Sequence, residues 1–268
     1  MKLHIQRLGK GFPLVILHGL YGSGDNWLGI AKSLSGICEV FLVDQRNHGK
    51  SPHSDEHSYQ SLSNDLLEIF DDNDLDKAVV LGHSMGGKAA MWFAAQHSSR
   101  ILRLIVADIS PRSYNDNLSE SSHITFHTKI IRAMLSVDFS TAKGLRDIDH
   151  QLEDQLPDKY LRQFLLKNIE KDSDSSFYWR LNLRALLQNL GNLSSGLESF
   201  LDQGKIFTRF PVQFLRGDHS GYIKEDDIIM IRKMYPNAQI TSIKNAGHWL
   251  HAEQPEAVIS LIKRGLIE

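Results

Sequence analysis

Apolar residues along this chain fall into short unbroken runs separated by stretches of helical period. Pro13-Leu14-Val15-Ile16-Leu17, Glu39 to Val43, Lys77 to Gly82 and Ile101 to Ala107 are each short and continuous, the pattern of strands buried on both faces. Between them, Asn26 to Leu34, Ser61 to Phe70 and Met85 to His97 predict helices; Leu62, Leu66, Ile69 and Phe70 form one stripe on the second. The N-terminal Met1 to Leu8 alternates instead, as a strand facing water on one side does. Repeated βα units with continuous apolar strands predict an α/β fold, a mostly parallel sheet with helices on both faces.

Past Pro111 the pattern changes. From about Ser113 to Lys205 the chain is polar and helical, with Phe126, Ile130, Met134 and Leu135 on one stripe and Leu161, Phe164, Leu165 and Ile169 on another. Phe177 to Leu183 alternates at period two, and a helical pattern through Leu186, Leu187 and Leu190 follows. Strand signals resume at Pro211 to Leu215 and Ala238 to Ile243, with helices over Ile223 to Met234 and from Pro255 at the first turn of Glu256 to Leu266. The expected organisation is a core of residues 1–112 and 206–268 with an inserted, mainly helical cap over 113–205. Insertions at the carboxyl edge of a parallel sheet are where lids are built.

Composition narrows the function. Thirty Lys+Arg against 32 Asp+Glu among 268 residues give a formal net charge of −2, so no basic field exists to hold nucleic acid or an anionic membrane by charge. No apolar run approaches the ~18 residues that span a bilayer, and the N-terminus lacks the apolar stretch and cleavage site of a secretory signal. The single cysteine, Cys38, lies in an apolar run, which fits a reducing compartment. The expectation is a cytoplasmic protein with a small-molecule or protein partner and no contact with nucleic acid or membrane; oligomeric state is not encoded in these features.

The strongest chemical signal is Gly82-His83-Ser84-Met85-Gly86-Gly87, set between a strand and a helix. A serine on so tight a turn must adopt a strained backbone, and flanking glycines remove the Cβ atoms that would clash. The turn would expose the Ser84 hydroxyl at a helix N-terminus, where developing negative charge is favoured. Serine needs a neighbouring base, and His248, on the loop after the last strand, fits better than His251 three residues on. A carboxylate must then orient the imidazole. Asp108 and Asp218 both stand at strand ends between serine and histidine, so either satisfies the order Ser, Asp, His. His18-Gly19-Leu20-Tyr21-Gly22 follows a buried strand, placing the backbone N–H groups of Leu20 and Met85 as oxyanion donors. A phosphate-binding reading of that turn lacks both Gly-x-Gly-x-x-Gly and a Lys-Ser/Thr ending.

Together these residues resemble the α/β-hydrolase superfamily, and Asp44-Gln45-Arg46-Asn47-His48-Gly49-Lys50-Ser51 resembles its structural Asp-x-Arg-x-x-Gly-x-Ser turn. More narrowly, Arg46 to Gly49, Gly82 to Lys88, Asp108-Ile109-Ser110-Pro111 and Gly247 to Glu253 look like the small bacterial esterases of the YbfF type. That resemblance implies Asp108 as the acid, within the Asp-Ile-x-Pro motif. Relatives usually lack a carboxylate where Asp218 stands, so Asp218 departs from the pattern. The implied activity is carboxylesterase or thioesterase chemistry on small or medium acyl esters through an acyl-enzyme, without metal or organic cofactor. Trp179, Tyr178 and Phe126 are candidates for the acyl pocket. The same triad also serves carbon–carbon bond hydrolases and lyases, and slow-turnover ligand receptors.

Overall fold

In the computed structural model, residues 1–114 and 123–267 are described; part of the inserted stretch, 115–122, lies outside them. Strands β1 (Ile5–Gly9), β2 (Phe12–Leu17), β3 (Cys38–Val43), β4 (Ala78–His83) and β5 (Ile101–Ala107) alternate with helices α1 (Leu28–Leu34), α2 (Tyr59–Asp72) and α3 (Met85–Gln96). Next come α4 (His123–Leu135), α5 (Leu145–Glu153), α6 (Lys159–Leu166), the short strands β6 (Ile169–Lys171) and β7 (Phe177–Trp179), and α7 (Leu183–Gln188), α8 (Leu190–Ser194) and α9 (Glu198–Asp202). The chain closes with β8 (Val212–Gly217), α10 (Glu225–Met234), β9 (Gln239–Ile243), α11 (Leu250–Glu253) and α12 (Pro255–Ile267).

Seven strands form one sheet in the order β1-β3-β2-β4-β5-β8-β9, with only β1 antiparallel to its neighbour. The unbroken apolar runs are the interior strands β2 to β5, covered by a core cluster on each face. The alternating N-terminal run is the antiparallel edge. Strand order reverses between β2 and β4, where Leu17 pairs with Gly82, so the loops after these strands part and open a crevice at the carboxyl edge. Ser84 follows β4, Asp108 follows β5 and His248 follows β9, which brings three distant stretches of chain to that edge.

Local signals set the helix starts. Ser58 caps α2 reciprocally with Ser61, and the Asp158 carboxylate accepts from the Tyr160 and Leu161 amides to start α6. The helix expected from Asn26 begins at Leu28, because Gly24–Trp27 winds as a 3-10 turn. The expected stripe on α4 is rotated. His127, Ile130, Ile131 and Met134 are buried, whereas Phe126 and Leu135 are 49% and 42% exposed. The 127/130/131/134 spacing follows the helical repeat better, but its first member is a polar histidine that an apolar pattern passes over. Ile169 does not extend the α6 stripe, since the helix ends at Leu166 and Ile169 pairs with Trp179 in the β6–β7 hairpin.

Candidate functional site

The turn after β4 has the geometry its glycines require. Ser84 sits at φ 52° and ψ −118°, a conformation L residues rarely adopt. A Cβ on Gly82 would lie 2.1 Å from the Gly86 carbonyl oxygen, and one on Gly86 would lie 2.4 Å from that of Leu17. Only glycine therefore lets α3 start so close to β2 and β4. Gly19 is less tight, but its Cβ would lie 2.8 Å from His83 Nδ1 and 3.2 Å from the Ser84 Cβ, so the loop after β2 runs against the serine.

Ser84, His248 and Asp108 meet. The Ser84 hydroxyl is 3.0 Å from His248 Nε2, and His248 Nδ1 is 2.8 Å from Asp108 Oδ2. Asp108 is fully buried and takes a positive φ of 51°. Its other oxygen accepts from the Gly217 amide at 3.0 Å, and Oδ2 also accepts from the Ser220 hydroxyl. With Nδ1–H directed to the carboxylate, Nε2 presents its lone pair to the serine, the tautomer a general base needs. Tyr222 stacks on the imidazole, and the His248 carbonyl oxygen lies 2.8 Å from His83 Nε2.

Asp218 lies elsewhere. Its side chain is 34% exposed, and it accepts from the Ala246 amide at 3.2 Å. Its slight burial raises its pKa, but hydrogen bonds from Asn245 and Ala246 outweigh that and hold it below the ordinary aspartate value. It braces the turn ahead of His248 and does not contact the imidazole. His251 is buried and stacked on Trp27, and burial lowers its pKa to about 3.

The loop bearing Leu20 is held by buried polar groups. Gln45 N–H donates to His18 Nε2 at 3.0 Å, the Gln45 side-chain amide to the His18 carbonyl at 2.6 Å, and the Asn168 amide to the Tyr21 carbonyl at 2.8 Å. Within the Asp44–Ser51 turn, Asp44 accepts from the Gly24 and Lys50 amides. Arg46 forms a buried two-pronged pair with Asp65 at 2.6 and 2.8 Å. Together these contacts fix the wall beside the serine.

A cavity of about 160 Å³ opens at Ser84, lined by His248, Tyr222, Trp249, Phe126, Ile130 and Phe164 among others. Phe126 reaches it, whereas Trp179 and Tyr178 are not among its lining residues. The Trp179 indole N–H donates to the Met134 carbonyl at 2.9 Å, and Tyr178 is exposed with its hydroxyl on Glu170. The β6–β7 hairpin turns these rings toward α4 and solvent, an orientation that period-two alternation cannot give. One turn past Ser84, Lys88 is buried and donates to the carbonyls of Arg112, at 2.8 Å, and Ser195. Burial lowers its ammonium to about 7. No group of three or more His, Cys, Asp or Glu among the described residues could hold a metal ion, and no described helix is long and apolar enough to cross a membrane.

Sheet order, elbow and loop placement define an α/β hydrolase, and a profile of the alpha/beta hydrolase fold family matches residues 13–255; the chain belongs to that family. Within it, the chain is 34% identical to esterase YbfF of Escherichia coli over 99% of both chains. It is 38% identical to the sn-1-specific diacylglycerol lipase ABHD11 of Danio rerio, over 95% of this chain and 78% of that one. A solved structure of a marine microorganism esterase superposes with a TM-score of 0.92 at 43% identity, covering 98% of each chain.

Proposed function

We propose that the chain is a serine ester hydrolase working through an acyl-enzyme, with Ser84 as nucleophile, His248 as general base and acid, and Asp108 orienting the imidazole. The observation that carries this reading is the continuous chain of contacts from Ser84 through both ring nitrogens of His248 to Asp108. The Ser84 hydroxyl gives its proton to Nε2 as its oxygen attacks the ester carbonyl. The carbonyl oxygen becomes an anion that the Leu20 and Met85 N–H groups stabilise. Collapse breaks the bond to the alcohol oxygen, which takes the proton from Nε2 and leaves. Water, deprotonated by the same nitrogen, then attacks the acyl-serine and releases the acid and free Ser84.

Residues 113–205 serve as a cap over this centre, a role supported by Phe126, Ile130, Leu161 and Phe164 lining the cavity with Ser84. Cys38 is buried, and burial raises its thiol to about 11, which supports a packing role.

The test is turnover of p-nitrophenyl esters by the wild type and Ser84→Ala, with folding followed by circular dichroism. The expected result is loss of turnover in a folded variant, together with loss of labelling by a fluorophosphonate. Undiminished turnover would overturn the mechanism.

A further inference from the structure

Two cavities meet at Ser84, and among the described residues only Leu20, Ser84 and His127 line both. The first, about 160 Å³, is lined by His248 and Tyr222. Through Tyr21, Phe164 and Trp249 it adjoins an open groove of about 960 Å³ whose walls carry charges of both signs, Asp25, Asp158 and Glu253 with Lys167 and Arg180. The second is only about 20 Å³, and neither His248 nor Tyr222 is among its lining residues; Met85, Tyr59, Lys88, Tyr114 and Leu193 are.

The chemistry of ester cleavage assigns these two spaces. In the tetrahedral intermediate the reacting carbon carries the serine oxygen, the oxyanion, the leaving oxygen and the acyl carbon. The leaving oxygen must receive its proton from His248 Nε2, so the alcohol lies in the cavity that His248 lines. With the oxyanion directed to backbone donors, the acyl group takes the remaining direction, away from the imidazole. The cavity that His248 does not line is the small one, and Leu20 and Met85 border it as well. A single water needs roughly 10–15 Å³ by this measure, so 20 Å³ admits a methyl or ethyl group and little more.

We infer that the small cavity is the acyl subsite and that the substrates are acetyl or propionyl esters or thioesters of a large, partly polar alcohol or thiol, which runs through the first cavity into the charged groove. This rests on the serine ester hydrolase reading and adds to it which side of the substrate is short. Its walls are firmly set: Tyr59 donates its hydroxyl to the Leu193 carbonyl at 2.7 Å, and Tyr114 donates to that of Tyr222 at 2.5 Å.

The test is kcat/KM of the wild type across p-nitrophenyl acetate, propionate, butyrate, hexanoate and octanoate, followed by ethyl, benzyl and naphthylmethyl acetates. The expected result is a maximum at acetate or propionate, a fall of about tenfold or more by hexanoate, and a rise with the size of the alcohol. Leu193→Ala should widen the small cavity and move the optimum to longer acyl groups; the wild-type series stands by itself if that variant does not fold. A wild-type preference for hexanoate or octanoate over acetate would overturn the inference while leaving the hydrolase reading intact. Absence of turnover on every ester would strike the hydrolase reading itself, and the inference with it.

Discussion

Tyr222 lies nearly flat against His248, with ring centroids 3.9 Å apart and planes inclined by 19°. The contact limits rotation of the imidazole, and on the proposed mechanism it sets an electron-rich face beside the positive charge His248 would acquire as general base. Tyr222 is therefore a positioning residue. Tyr222→Leu is expected to lower kcat by about three- to tenfold with little change in KM, while Tyr222→Phe, which keeps the ring, restores it. Steady-state kinetics on one ester checks this; equal losses in the two variants would assign the effect to the hydroxyl instead.

The two aspartates are separable by the same kinetics. Asp108→Asn keeps the shape of the buried side chain but leaves His248 without an ionised partner, and kcat should fall by about 10⁴. Asp218→Asn touches the turn at Asn245 and Ala246 and the exposed His219, and should change kcat by no more than about twofold. A larger loss at Asp218 would reverse the assignment.

Acid should unfold this protein through its histidines. His18, His48, His57, His83, His127 and His251 are buried, and burial lowers His18 to about 4, His48 and His251 to about 3, and the others well below the ordinary value. They stay neutral in the folded chain. The unfolded chain protonates them once pH falls below about 6.5, so it binds more protons and stability drops. Each such histidine adds to the loss as pH falls below about 6.5, because it takes up a proton in the unfolded chain and not in the folded one. Urea unfolding at pH 7, 6 and 5 checks this, and equal midpoints at all three would refute it.

What could be read from the chain followed from how local each constraint is. Gly82, Ser84 and Gly86 announce themselves because three adjacent residues must satisfy one turn, and the interior strands because burial on both faces leaves no polar position. In the loop from Gly217 to Tyr222 the eye goes to Asp218, yet Ser220 and Tyr222 are the residues that reach Asp108 and His248. Nothing local marks them, since their partners come from β5 and from the loop after β9. Trp179 and Tyr178 fail as pocket residues for the same reason: the hairpin that carries them is aimed by its packing against α4, which depends on residues more than forty positions away. His127, a wall of both cavities, is hidden by its polarity within an apolar stripe.

Lys88 gives the connection between β5 and β8 a particular mechanics. Its ammonium fastens the Arg112 and Ser195 carbonyls, and nearby the Tyr114 amide bonds the Ser194 carbonyl at 2.7 Å and the Leu197 amide that of Pro111 at 2.8 Å. The two stems are thus stitched to each other and riveted to the helix that carries the nucleophile. Such a segment cannot swing open like a hinged door from its root. Opening it at the root would break these contacts one helical turn from Ser84.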